Sequence, residues 1–171
     1  MAENSERRPS RTAKVLNSRF LLTAFAAGVG AAIAIGVMEL LSANFNFPLA
    51  TIPFATSIVL VIGSPDLPAA QPRALIGGHL ISTLVGLIVL KIAGPLPWAA
   101  ALAVGVAVLA MMLSRTFHPP AGIDPLLVVS ANLPWTFLFA PVLVGAILLA
   151  AFAFFWHRIV LRRRSWPSQW I

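Results

Sequence analysis

The stretch Arg115-Thr116-Phe117-His118-Pro119-Pro120-Ala121-Gly122-Ile123-Asp124-Pro125 sets a guanidinium, an imidazole and a carboxylate inside an otherwise apolar chain. Adjacent prolines lack the amide protons that a helix interior needs. A helix is therefore predicted to end near Phe117, and the next to take Pro120 in its first turn. His118 then stands just before a helix start, where unpaired amides and the positive dipole end favour an anion, with Arg115 close by in sequence. His79 follows Gly77-Gly78, which let another backbone come close. Arg73, after Gln71-Pro72, falls at a predicted helix start, the dipole end that disfavours a cation, so an anion or an acid partner is expected beside it. There is no cysteine, no HxxxH or HxxE pair, no glycine-rich phosphate loop and no nucleophile elbow. No metal, cofactor or enzymatic activity is predicted on that basis.

The elements that hold these residues must be membrane helices. Of 171 residues, 59% are hydrophobic and 10% charged, the balance of a polytopic membrane protein. Arg7, Arg8, Arg11, Lys14 and Arg19 precede the first apolar run, and Arg158, Arg162, Arg163 and Arg164 follow the last. The net charge of +7 thus belongs to the two tails. They are expected at the cytoplasmic face of a bacterial inner (plasma) membrane, against anionic lipid head groups, and nucleic acid is not needed to explain them. Residues 1–19 are read as a basic, disordered tail, 20–158 as the transmembrane domain and 159–171 as a second basic tail.

Residues 20–43 are apolar apart from Glu39, which reaches toward the interface, and are long enough to cross a bilayer core of about 30 Å. Ala24, Gly28, Ala32 and Gly36 recur at every fourth position, a flat ridge that admits another helix closely and points to a homo-oligomer. A shorter segment, 49–63, contains Pro53. Residues 64–73 hold three prolines and must be loop. A long helix follows over 74–92, then a Gly94-Pro95-Leu96-Pro97 turn, Trp98 as an interfacial anchor and a helix over 99–113. After the proline motif, 121–131 is again short. The last long helix covers 136–159, with Pro141 near its start and His157 read as an interface residue at its basic end.

The predicted fold class is an all-α polytopic membrane protein with two repeats of long helix, short helix, long helix, over residues 20–93 and 97–158. Residues 53–60 align with residues 120–127, so Ser57 and Asp124 are predicted to occupy equivalent places. Paired short segments of this kind mark the central site of a transporter. If they turn back, there are four full spans plus two re-entrant segments. If they cross, there are six spans, with Arg73 and Arg115 on the side of both termini and Lys91 opposite, the arrangement that the positive charges favour.

Several blocks in order carry a family resemblance: Pro53-Phe54 with small residues after it, Ala70-Gln71-Pro72-Arg73, Gly77-Gly78-His79, Ser114-Arg115-Thr116 and His118-Pro119-Pro120-Ala121-Gly122. Residues 48–158 resemble the HPP family of integral membrane proteins. The resemblance implies a small multi-helix membrane protein, usually described with four spans, and its plastid and cyanobacterial members are associated with nitrite transport. The family pattern of Gly-Ala-Ser and Gly-Ala-Thr reads Ala55-Thr56-Ser57 and Gly122-Ile123-Asp124 here. An ionised Asp124 would repel an anion, so it is expected either uncharged or paired with Arg115 or Arg73. The expected function is transport of a small inorganic anion, nitrite being the one that the resemblance implies. Its expected contacts are His118, Arg115, Arg73, His79, Ser57, Gly122 and Asp124, shaped by Pro53, Pro119 and Pro120. A structural or sensory membrane protein is the alternative, and an intramembrane enzyme a remote one.

Overall fold

Inside lipid a backbone must satisfy its own hydrogen bonds, and an apolar chain does so by forming helices. In the computed structural model, which describes residues 18–45, 52–162 and 165–168, every regular element is helical. They are α1 (Ser18–Phe45), α2 (Ile52–Gly63), α3 (Pro72–Ala93), α4 (Pro97–Leu113), α5 (Asp124–Ser130) and α6 (Val144–Phe155). A 3-10 turn, Pro119–Ile123, leads into α5, and wide helical turns, Leu138–Leu143 and Trp156–Val160, extend α6 at both ends. Three helices among the described residues are long and apolar enough to cross a membrane: α1, α3 and the extended last helix, Leu138–Val160. The 17 residues of α4 rise about 26 Å, the 12 of α2 about 18 Å and the 7 of α5 about 10 Å.

The sequence rule that prolines open helices holds at Pro72 and Pro97, each in a first turn. Helix α4 stops at Leu113, where the helix read over 99–113 ends and ahead of the proline break expected near Phe117, and Arg115 beyond it takes a left-handed backbone with φ of 58°. The Thr116 amide then donates to Met111 O at 2.9 Å and the Arg115 amide to Met112 O at 3.1 Å, which closes the last turn. Pro119 and Pro120 consequently start a 3-10 turn and not an α-helix, whose first residue is Asp124.

Pairwise contacts fix the direction of each segment. Segment 116–133 runs alongside α3 in the same sense. Thr116 meets Gly77, His118 meets Gly78, Ser82 bonds Ala121, Thr83 bonds Asp124 and Pro125 meets Gly86. Any side chain on these glycines would collide. An added Cβ on Gly78 would stand 2.6 Å from His118 Cβ and 2.9 Å from Thr116 O, and one on Gly86 would stand 2.7 Å from Pro125 Cα. The last helix runs opposite to α3, with Leu138 and Leu143 beside Leu80 and Leu84, and Phe154 beside Ile76. Its end therefore lies with the start of α3. There the Ser168 amide donates to Gln71 Oε1 at 2.8 Å, and Trp166 is buried with Ala70 in the main core.

One expectation is corrected here. His157 is not an interface residue: it is fully buried, 3.0 Å from Val61 O and tilted against Trp166. The four-residue ridge of α1 lies outside the internal packing. Ala24, Gly28, Ala32 and Gly36 are exposed, while Ala34 and Met38 on the other side join the core formed with α2 and α6. Glu39 and Trp98 are exposed. The N-terminal tail through residue 17 and the Arg163 and Arg164 positions lie outside the described residues.

Candidate functional site

Three elements bring polar side chains to one buried point. Helix α2 supplies Ser57, α3 supplies His79, Ser82 and Thr83, and segment 118–124 supplies His118 and Asp124. Each of the six is buried, with His79, His118 and Ser57 wholly enclosed. Ser57 Oγ lies 2.8 Å from His79 Nε2 and 2.9 Å from His118 Nε2. His79 Nδ1 lies 2.7 Å from Asp124 Oδ2, to which the Thr83 hydroxyl also donates at 3.2 Å. His118 Nδ1 lies 2.7 Å from Ala69 O. Phe54 stacks on the His79 ring at 4.7 Å and holds its plane.

Counting protons orders this string. A carbonyl only accepts, so the proton of a neutral His118 sits on Nδ1 and donates to Ala69 O. Its Nε2 is then an acceptor, and the Ser57 hydroxyl donates to it. Ser57 Oγ in turn accepts the Nε2 proton of His79. The remaining contact, His79 Nδ1 to Asp124 Oδ2, holds one shared proton. Ser57 has a second acceptor in reach, Pro53 O at 2.7 Å, so its hydroxyl has two places to point.

The order Asp124, His79, Ser57 is that of an acyl-transfer triad, recognised by geometry and not by position in the chain. Its serine, however, is closed in. The two nearest cavities are lined by Ala69, Arg73, Arg115 and Phe117 on one side and by Thr56, Pro119 and Pro120 on the other, neither of them by Ser57.

A family model described as "HPP, transmembrane region" matches residues 17–167, nearly the whole chain. The chain belongs to the HPP family. Two similar curated proteins, both transmembrane proteins of Dictyostelium discoideum, are 35% and 36% identical to it over 126 residues. The match covers 68% of this HPP chain and 44% and 40% of theirs, so the chain spans less than half the length of these relatives. No solved structure matches.

The histidine of the HPP triplet, His118, meets His79, Ser57 and Asp124 in one string, while the other three expected contacts lie elsewhere. Asp124 pairs with His79 and with neither arginine. Among the described residues Arg73 pairs with no acid: its Nη2 donates to Ser114 O at 3.3 Å, one of the carbonyls left open where α4 ends. Arg115 is exposed and shares with Arg73 a cavity of about 310 Å³. Gly122 is half-buried, with no atom near its Cβ position. Sequence reasoning missed Ser82, Thr83 and Ala69. The first two were legible, since 79, 82, 83 and 86 follow the spacing of one helix face. Ala69 takes part through its carbonyl, which no side-chain pattern reveals.

Proposed function

We propose that this HPP protein carries a small inorganic anion across the membrane. The observation that carries the reading is the cavity of about 310 Å³ that Arg73 and Arg115 both line, with no carboxylate among the described residues on its wall and with Ala69, whose carbonyl meets His118, on that wall. Two arginines on the wall of a mostly apolar vestibule suit an anion small enough to enter. Nitrite is the substrate that the family resemblance brings to this site. Long, short, long helices in each half support two repeats, and Ser57 and Asp124, aligned by that repeat, flank His79 from its two nitrogens.

The parallel run of segment 116–133 with α3 favours six passes over four. Arg73, Arg115 and the described C-terminal segment then share the cytoplasmic face, and Lys91 lies opposite. Basic tails there meet anionic lipid. The outward ridge of α1 is the surface that we assign to contact with a second copy.

Replacing both arginines (Arg73→Gln with Arg115→Gln) should lower anion uptake into proteoliposomes by about tenfold or more, a loss of at least 1.4 kcal/mol of binding. Uptake equal to that of the unaltered protein would remove the cavity from the pathway. A second reading, an intramembrane serine hydrolase, is favoured by the Asp124–His79–Ser57 geometry alone. Labelling of Ser57 by a fluorophosphonate would select it.

A further inference from the structure

One wall of the arginine cavity belongs to no α-helix. Arg73 and Ala74 come from α3, Arg115 and Phe117 from the turn after α4, but Leu67, Pro68 and Ala69 lie in the loop that joins α2 to α3. A loop wall keeps one shape when residues outside the loop fix its backbone. Among the described residues two side chains do so. His118 Nδ1 donates to Ala69 O at 2.7 Å, and Gln71 Nε2 donates to Pro65 O at 2.7 Å and to Leu67 O at 3.3 Å. The other end of the Gln71 amide faces elsewhere: its Oε1 accepts the Ser168 amide proton at 2.8 Å.

Gln71 is buried, and its side chain caps no amide of α3 although the residue stands at that helix start. Its donors go to the loop and its acceptor to segment 165–168. We infer that Gln71 is a positioning residue of the anion cavity and that segment 165–168 holds it in place, so that the seating of Trp166 sets the affinity for the anion. The inference rests on the transport reading of the cavity and adds a means of control to it.

The coupling follows from the shape of an amide. Pro65 O and Leu67 O only accept and the Ser168 N–H only donates, which fixes the Gln71 amide in one orientation. Its oxygen and nitrogen lie on opposite sides of one rigid plane. If Ser168 leaves, a buried Oε1 loses its donor, and the plane must turn to find another. Turning it carries Nε2 away from the two carbonyls. Of the two side-chain anchors only His118 then remains, and the wall facing Arg73 and Arg115 loosens.

Segment 165–168 is itself held at one residue. Trp166 is buried in the core cluster that contains Val61, Ala70 and Ala153, and its ring tilts against His157 at 5.0 Å. Ser165 and Ser168 on either side of it are exposed. Among the described residues Trp166 Nε1 has no hydrogen-bond partner, so apolar burial retains the indole against the cost of an unpaired N–H. A segment retained by one such residue can leave its seat as a unit.

The test separates the Ser168 side chain from its amide. Ser168→Pro removes the amide proton that Gln71 accepts, while Ser168→Ala keeps it. In nitrite uptake by proteoliposomes, Ser168→Pro should raise the half-saturating concentration about fivefold, the scale of one lost hydrogen bond, with the maximal rate retained. Trp166→Ala, which empties the seat, and Gln71→Met, which removes both donors, should act alike; Ser168→Ala should change nothing. A nitroxide on Leu67→Cys, in a chain with no other cysteine, reads the wall directly and should gain mobility in the same three variants. Either readout unchanged in any of the three would overturn the inference and leave the transport reading standing. Should the unaltered protein take up no nitrite, the transport reading fails, and the label alone decides whether Gln71 holds the wall. Ser168 is exposed, so Ser168→Pro keeps the test available if Gln71→Met does not fold.

Discussion

Asp124 is the residue whose meaning changes most between sequence and structure. Read along the chain it is an acid near two arginines, and a pairing with one of them is the natural expectation. In the fold it faces α3, where His79 Nδ1 and the Thr83 hydroxyl meet its Oδ2. Breaking a buried pair leaves the remaining polar group without a partner, so Asp124→Ala should destabilise the protein by about 3 kcal/mol. Thr83→Val, which removes a single hydrogen bond, should cost about 1 kcal/mol. Thermal unfolding in detergent, compared across the two variants, checks the ranking; equal effects would contradict the geometry. His118, His79, Ser57 and Asp124 were all conspicuous in the sequence, because ionisable or hydroxyl groups stand out in an apolar chain. Their order along a string was not, since it depends on which nitrogen of each ring faces which neighbour.

At the scale of elements, α3 serves as the floor on which segment 116–128 is laid. Gly77, Gly78 and Gly86 make that floor flat, and their value lies in backbone approach. Gly78→Val should cost about 2–3 kcal/mol through overpacking against Thr116 and His118. Gly28→Val, on the outward ridge of α1 with nothing near it, should change monomer stability by less than about 0.5 kcal/mol. Arg115 supplies a cleaner separation of stability from function. Its left-handed backbone is strained for a residue with a Cβ, so Arg115→Gly should stabilise the end of α4 by about 1 kcal/mol while weakening anion binding. A melting temperature that falls in this variant would show that the guanidinium stabilises the fold by more than the turn costs it. The helices themselves were readable from apolar length and proline position. The end of α4 at Leu113 was legible too, but the left-handed turn at Arg115 that closes it was not, because an arginine carries no sequence signal comparable to a glycine.

At the scale of the whole molecule, the direction of the short segments bears on the topology. Segment 116–128 accompanies α3 from Gly77 to Gly86, and α2 runs from the level of His79 to the loop beside Gln71. The chain contains no cysteine, so single reporters are unambiguous. Asp66→Cys should react with an impermeant maleimide from the side that bears the C-terminus, and Lys91→Cys from the other. Labelling of Asp66→Cys from the side opposite the C-terminus would select the re-entrant topology instead. By itself the sequence determined the membrane setting, the helical class, the succession of long and short apolar segments and the family, because these follow from local composition, proline chemistry and ordered motifs. Only the tertiary structure decided that the arginines part from the acid, that His157 is buried and that two imidazoles share one serine hydroxyl. Those outcomes depend on which residues distant in the chain are pressed together, and here glycine contacts between α3 and segment 116–128 set that register.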